Sequence, residues 1–84
     1  MNGKLSVFPI PANDVVNINF TAEASGEAVL SLTDMMGRTI SQRSLQVTEG
    51  LQTQTVDLSN TASGAYLLRV NVDGRQMVKR IVRQ

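Results

Sequence analysis

Seven carboxylates, Asp14, Glu23, Glu27, Asp34, Glu49, Asp57 and Asp73, are the side chains in this sequence best suited to acid–base chemistry. Two of them held a few ångströms apart could pass a proton to and from a substrate. They are instead scattered along the chain, mostly in stretches that read as turns or loops, where a carboxylate caps backbone N–H groups. The chain has no histidine and no cysteine. That removes Ser–His and Cys–His nucleophiles, thiolate metal sites and disulfides together. Gly37, Gly50, Gly64 and Gly74 are isolated and no helical pattern follows them, so they build no phosphate loop. Phe8, Phe20 and Tyr66 are too few for a sugar-stacking platform, and Phe20 and Tyr66 take inward strand positions. The residues describe a non-catalytic domain with no cofactor and no metal.

One charge cluster remains. Arg75, Lys79, Arg80 and Arg83 give the last stretch four cations and no acid, in a chain whose net charge is only +1. So even a balance argues against a nucleic-acid or membrane-surface footprint. The cluster has two readings: a charged edge strand that resists sheet-to-sheet aggregation, or a surface that a partner reads.

The elements that would carry these residues are strands. Gly64 to Val72 alternates, with Tyr66, Leu68, Val70 and Val72 on one face. Asp73-Gly74 then signals a two-residue hairpin turn, and Arg75 to Gln84 returns. This register pairs Val72 with Arg75, Val70 with Met77, Leu68 with Lys79 and Tyr66 with Ile81. Lys79 thereby shares a face with Met77 and Ile81, which requires either a sheet edge or a bulge. Upstream, Leu5–Phe8 is a short strand closed by Pro9-Ile10-Pro11, an extended edge or a bend, and Asn13 and Asp14 continue the turn with local side-chain acceptors. Val15–Phe20 is the next strand, followed by a polar loop from Thr21 to Glu27. Ala28–Thr33 places Ala28, Leu30 and Leu32 inward. Asp34 caps a turn in which Gly37 supplies positive φ. Thr39–Val47 changes phase between Ile40 and Leu45, predicting a bulge near Gln42-Arg43. Leu51–Leu58 completes seven strands. An all-β, immunoglobulin-like antiparallel sandwich of about seven short strands is favoured, with a barrel as the alternative. Residues 1–4 read as a linker or the restart of an excised domain, and 5–84 as the domain. No apolar stretch is long enough to span a membrane, and Met1–Lys4 lacks the apolar segment of a signal peptide.

Four stretches in series resemble a known family. They are Leu5–Asp14, Leu30–Gly37, Val56–Ser59 and Ala62–Val70, followed by a terminal Lys79-Arg80-Ile81-Val82. Their order and spacing are similar to the C-terminal sorting domain of cargo proteins of the type IX secretion system. Ile10 stands where relatives usually carry Asn, and Thr61 where they usually carry a large aliphatic. The resemblance implies a sorting signal covalently linked to an N-terminal cargo, exported through the periplasm to the cell surface or medium. It implies an outer-membrane translocon and a sortase-like peptidase as partners. The peptidase would cut at or before Met1–Lys4, and the cargo would be released or attached to anionic lipopolysaccharide. Pro9, Pro11, Asp14, Asp34, Gly37, Asp57, Gly64 and Tyr66 match the family motifs as structural positions. Asp34, Gly37, Asp57 and Gly64 read as turn formers, and Tyr66 as core with its hydroxyl on a backbone partner. The terminal segment, Lys79, Arg80, Ile81, Val82, Arg83 and Gln84, is the expected recognition element, an edge open to β-augmentation. A fibronectin-like spacer or a carbohydrate-binding module of a surface protein is the competing reading.

Overall fold

The computed structural model of the chain describes residues 5–72 and 74–84. The expected linker at 1–4, the cut site assigned to it, and Asp73 lie outside the described residues.

Seven strands form: β1 (Leu5–Phe8), β2 (Val15–Ala22), β3 (Gly26–Asp34), β4 (Thr39–Val47), β5 (Gly50–Asp57), β6 (Gly64–Val72) and β7 (Arg75–Arg83). They pack as two antiparallel sheets, one ordered β1-β2-β5 and the other β4-β3-β6-β7. The result is a sandwich and not a barrel. β4 joins β3, leaving three strands facing four; in immunoglobulin constant domains the fourth strand lies on the other sheet.

Period-2 alternation builds the core. Val16, Ile18, Phe20 and Ala22 of β2 face Ala28, Leu30 and Leu32 of β3 and Tyr66, Leu68, Val70 and Val72 of β6, all buried. Those three strands are interior to their sheets, so half of each is sealed on one face and flanked on both edges. The outer strands are wetter, and three strands cannot cover four. Inward-phase positions in the middle of β4 and β7 hold cations, Arg43 and Lys79, both exposed. Arg43 closes its side by reaching across to β5, donating from Nη2 to the Thr55 carbonyl at 2.9 Å. It covers a cleft of about 190 Å³ whose lining includes Leu30, Leu32, Val56 and Leu68.

The β6–β7 register is the expected one, with Val72 opposite Arg75, Val70 opposite Met77, Leu68 opposite Lys79 and Tyr66 opposite Ile81. It runs unbroken, so the edge reading of Lys79 holds and the bulge reading does not. A bulge does occur in β4, but not near Gln42-Arg43. Leu32 pairs with Ser41 and Thr33 with Thr39, which makes Ile40 the extra residue. The inward row Ser41, Arg43, Leu45, Val47 keeps its phase. The polar residues at its start, Ser41 and Arg43, mimic a break further along. Leu58 also leaves the expected strand: its N–H donates to the Asp14 carbonyl at 2.6 Å and its side chain is fully buried.

Candidate recognition surface

The motif residues, scattered in sequence, gather at one end of a molecule 35 Å long. Antiparallel pairing brings them together. The ends of β1, β3, β5 and β7 meet the starts of β2, β4 and β6 there. Val15 is in register with Asp57, Asp34 with Tyr66, and Gly64 with Arg83. The opposite end carries the β2–β3 loop, Gly50 and Gly74, with an Arg75–Glu23 ion pair across it. β1 enters from that opposite side, since Leu5 pairs with Phe20 and Phe8 with Asn17.

Most motif side chains at the shared end are consumed by the fold. Asp34 Oδ1 accepts from the N–H groups of Met36 and Arg38, each at 2.9 Å, and Oδ2 accepts from Arg38 Nε at 2.8 Å. The Arg38 backbone bond leads in holding this carboxyl below the usual aspartate range, against partial desolvation. Gly37 closes the turn at φ +92°, a region that penalises a Cβ. Asp57 Oδ1 accepts from the Ser59 N–H at 2.9 Å, and that bond lowers its pKa as well. Gly64 opens β6 at φ +150°. Tyr66, buried, donates its hydroxyl to the Ala62 carbonyl four residues back, the corner arrangement known from other sandwich domains. Turns and core thus take up these five residues.

The Pro9 and Pro11 segment does something the sequence did not announce. Both Xaa-Pro bonds are cis, and the bend carries Ala12 off the three-stranded sheet to the edge of the other. There Ala12 makes a parallel bridge with Arg83: its N–H donates to the Val82 carbonyl at 2.7 Å, and its carbonyl accepts from the Gln84 N–H at 2.8 Å. Arg83 completes the clamp. Its Nε donates to the Leu58 carbonyl at 2.8 Å and its Nη2 to Asp14 Oδ1 at 3.2 Å. Asp14, expected to accept within its own turn, accepts from the far end of the chain. Thr61 donates to the same Leu58 carbonyl through N–H and hydroxyl, at 2.9 and 2.7 Å, so Leu58 is the apolar anchor of this loop. Ile10, in contrast, is exposed.

The expected recognition segment therefore divides. Ile81 is fully buried in the core. The Arg83 side chain is 15 % exposed and engaged. Val82 is half-buried and bridged by Ala12, so the edge is not open along its whole length. Lys79, Arg80 and Gln84 remain exposed. Among the described residues Arg75 and Arg83 have acidic partners, and Lys79 and Arg80 have none. Ala12, Leu58 and Arg43 were not singled out by their sequence: each acts through a contact with a residue distant in the chain, and no local pattern encodes it. At the same end, a shallow groove of about 360 Å³ runs between the Asp34–Arg38 turn and the Asn60–Tyr66 loop. Among the described residues no cluster of acids, histidines or cysteines could hold a metal.

Comparison with known proteins agrees with this picture. The family model described as secretion system C-terminal sorting domain matches residues 6–84. No curated protein matches the chain. Among solved structures, the β-glucosidase from Listeria innocua in complex with glucose is similar with a TM-score of 0.51 and 13% identity, over 98% of this chain and 16% of that one. A second structure of the β-glucosidase from Listeria innocua gives a TM-score of 0.51 at 12% identity, with the same coverage. At that identity the likeness shows the sandwich fold alone, and this chain spans about a sixth of the enzyme's length. Fold, motif order and a match over nearly the whole length lead to one assignment: the chain belongs to the family of type IX secretion system C-terminal sorting domains.

Proposed function

We propose that the domain is read by the outer-membrane translocon through the accessible part of its C-terminal strand, and is then cut from its cargo. The family is one of sorting signals for secreted or cell-surface proteins. The supporting observation is polarity. β1 enters from one end, whereas the motif end and Gln84 lie at the other, so a cargo joined ahead of Leu5 leaves the terminal segment uncovered. Lys79, Arg80 and Gln84 offer accessible contacts there, while Ile81 and Arg83 hold the strand in place. The cargo crosses the periplasm, and a sortase-like peptidase cleaves in the segment preceding Leu5, releasing the cargo or attaching it to anionic lipopolysaccharide. The domain is the substrate in that step and supplies no catalytic group.

The test is a fusion of signal peptide, fluorescent reporter, linker and residues 1–84, expressed in a bacterium with a type IX system. Reporter on the surface or in the medium, trapped in the periplasm once the translocon is deleted, is the expected result. Periplasmic retention in both strains with the domain folded would overturn the sorting role in that host.

A further inference from the structure

The backbone of β7 alternates, and Ala12 reports which residues turn outwards. It bonds the Val82 carbonyl and the Gln84 N–H, so those groups point away from β6. In an antiparallel ladder a residue's N–H and C=O share a side, and the side repeats every second residue. The β6–β7 register has no break, so Gln76, Val78 and Arg80 also turn both groups outwards. β7 is the last strand in its sheet, and Ala12 caps only the end of it. What remains is a run from Gln76 to Arg80 whose outward groups have no strand hydrogen-bonded to them, with β1 of the other sheet packed near β7.

We infer that this edge takes an acidic, extended segment of the translocon as an added strand, with Ala12 as the stop that limits its length. The inference rests on the sorting role proposed above and specifies the partner's chemistry. Two observations favour that occupant. Lys79 and Arg80 emerge on opposite faces of the strand and have no ion partner among the described residues, whereas Arg75 and Arg83 are paired at either end. An incoming strand with an acid on each face meets both free cations, and cross-strand opposite charges are mutually stabilising. Just ahead of them Val78, 47 % exposed, and half-buried Met77 offer apolar contact to its alternate side chains. A second copy of this chain is a poor occupant. Its own β7 has four cations and no acid, and would set Lys79 and Arg80 beside like charges.

Proline provides a selective probe. Val78→Pro deletes an outward N–H that the sheet does not use, the position at which edge strands tolerate proline. The experiment is the export fusion carrying Val78→Pro or Lys79→Glu/Arg80→Glu, with the purified 84-residue chain of each variant checked by circular dichroism. The expected result is export reduced about tenfold or more in each, with the thermal midpoint within about 8 °C of the parent. Should Val78→Pro fail to fold, Gln76→Pro makes the same deletion nearer the turn. Folded proline variants exported at the parental rate would overturn strand addition. Normal export of the charge-reversed variant would overturn the acidic partner, as would a parental dimer in sedimentation that the proline dissolves. Each of these leaves the sorting role standing, because that role fails only when the unsubstituted fusion is not exported.

Discussion

Arg83→Met separates holding the fold from being read. The substitution keeps most of the aliphatic stem and removes the guanidinium. Its Nε donates at 2.8 Å to the carbonyl of Leu58, a fully buried residue. A charged donor on a neutral acceptor contributes about 1.5–3 kcal/mol, but the Leu58 carbonyl keeps both Thr61 donors and is not orphaned, so the lower end applies. Asp14 is 76 % exposed, and its ion pair at 3.2 Å adds no more than about 0.5 kcal/mol. The sum is about 2 kcal/mol, which at this chain length lowers the thermal midpoint by about 8–16 °C. The matched control is Arg80→Met on the same strand: exposed and without an ion partner among the described residues, it should change stability by about 0.5 kcal/mol at most. The assay is thermal denaturation followed by circular dichroism, with both variants also carried in the export fusion. Arg83→Met melts early, and Arg80→Met keeps its midpoint but loses export. Two superimposable melting curves would refute the clamp, because the burial and bonding of Arg83 would then contribute nothing.

Other outcomes follow from the same geometry. Asp34 and Asp57 have carboxyls held below the usual aspartate range, so the stabilisation from their ionised forms is complete above about pH 4 and lost as pH falls through the lower folded-state values. Acid titration of the melting midpoint should be level near neutrality and fall below about pH 4, and Asp34→Asn with Asp57→Asn should flatten that fall. Tyr66→Phe leaves the Ala62 carbonyl without its hydroxyl donor and should cost about 0.5–1.5 kcal/mol in urea unfolding. Ile81→Ala opens a cavity under the last strand and should cost about 2–5 kcal/mol, so its export defect would be accompanied by unfolding.

Short-range features were legible from residue order. An Asp-Gly pair between alternating runs set the register of β6 and β7 from Val72–Arg75 to Tyr66–Ile81, because a two-residue turn leaves one choice of partners. Asp34 with Gly37, and Asp57 ahead of Ser59, announced their turns because a carboxylate caps N–H groups within a few residues of itself. Lys79 in an inward phase left an edge or a bulge open, and the unbroken register decided for the edge, whereas the alternation of Val16, Ile18 and Phe20 marked a core strand.

What tertiary structure alone decided is lateral. That β5 pairs with β2 while β4 pairs with β3 depends on which faces close over one another, and alternation is blind to it. The bulge lies at Ile40 and not near Gln42-Arg43, because polar residues at inward positions of β4 mimic a change of phase in the sequence. Arg83 read as one of four cations on the last strand, and Ala12 as part of the turn with Asn13 and Asp14. Only closure of the sandwich sets Ala12 against Val82 and Gln84, and Arg83 on Leu58 and Asp14. Those contacts join residues 25 to about 70 positions apart, so their free energy exists only once the core that brings them together has formed.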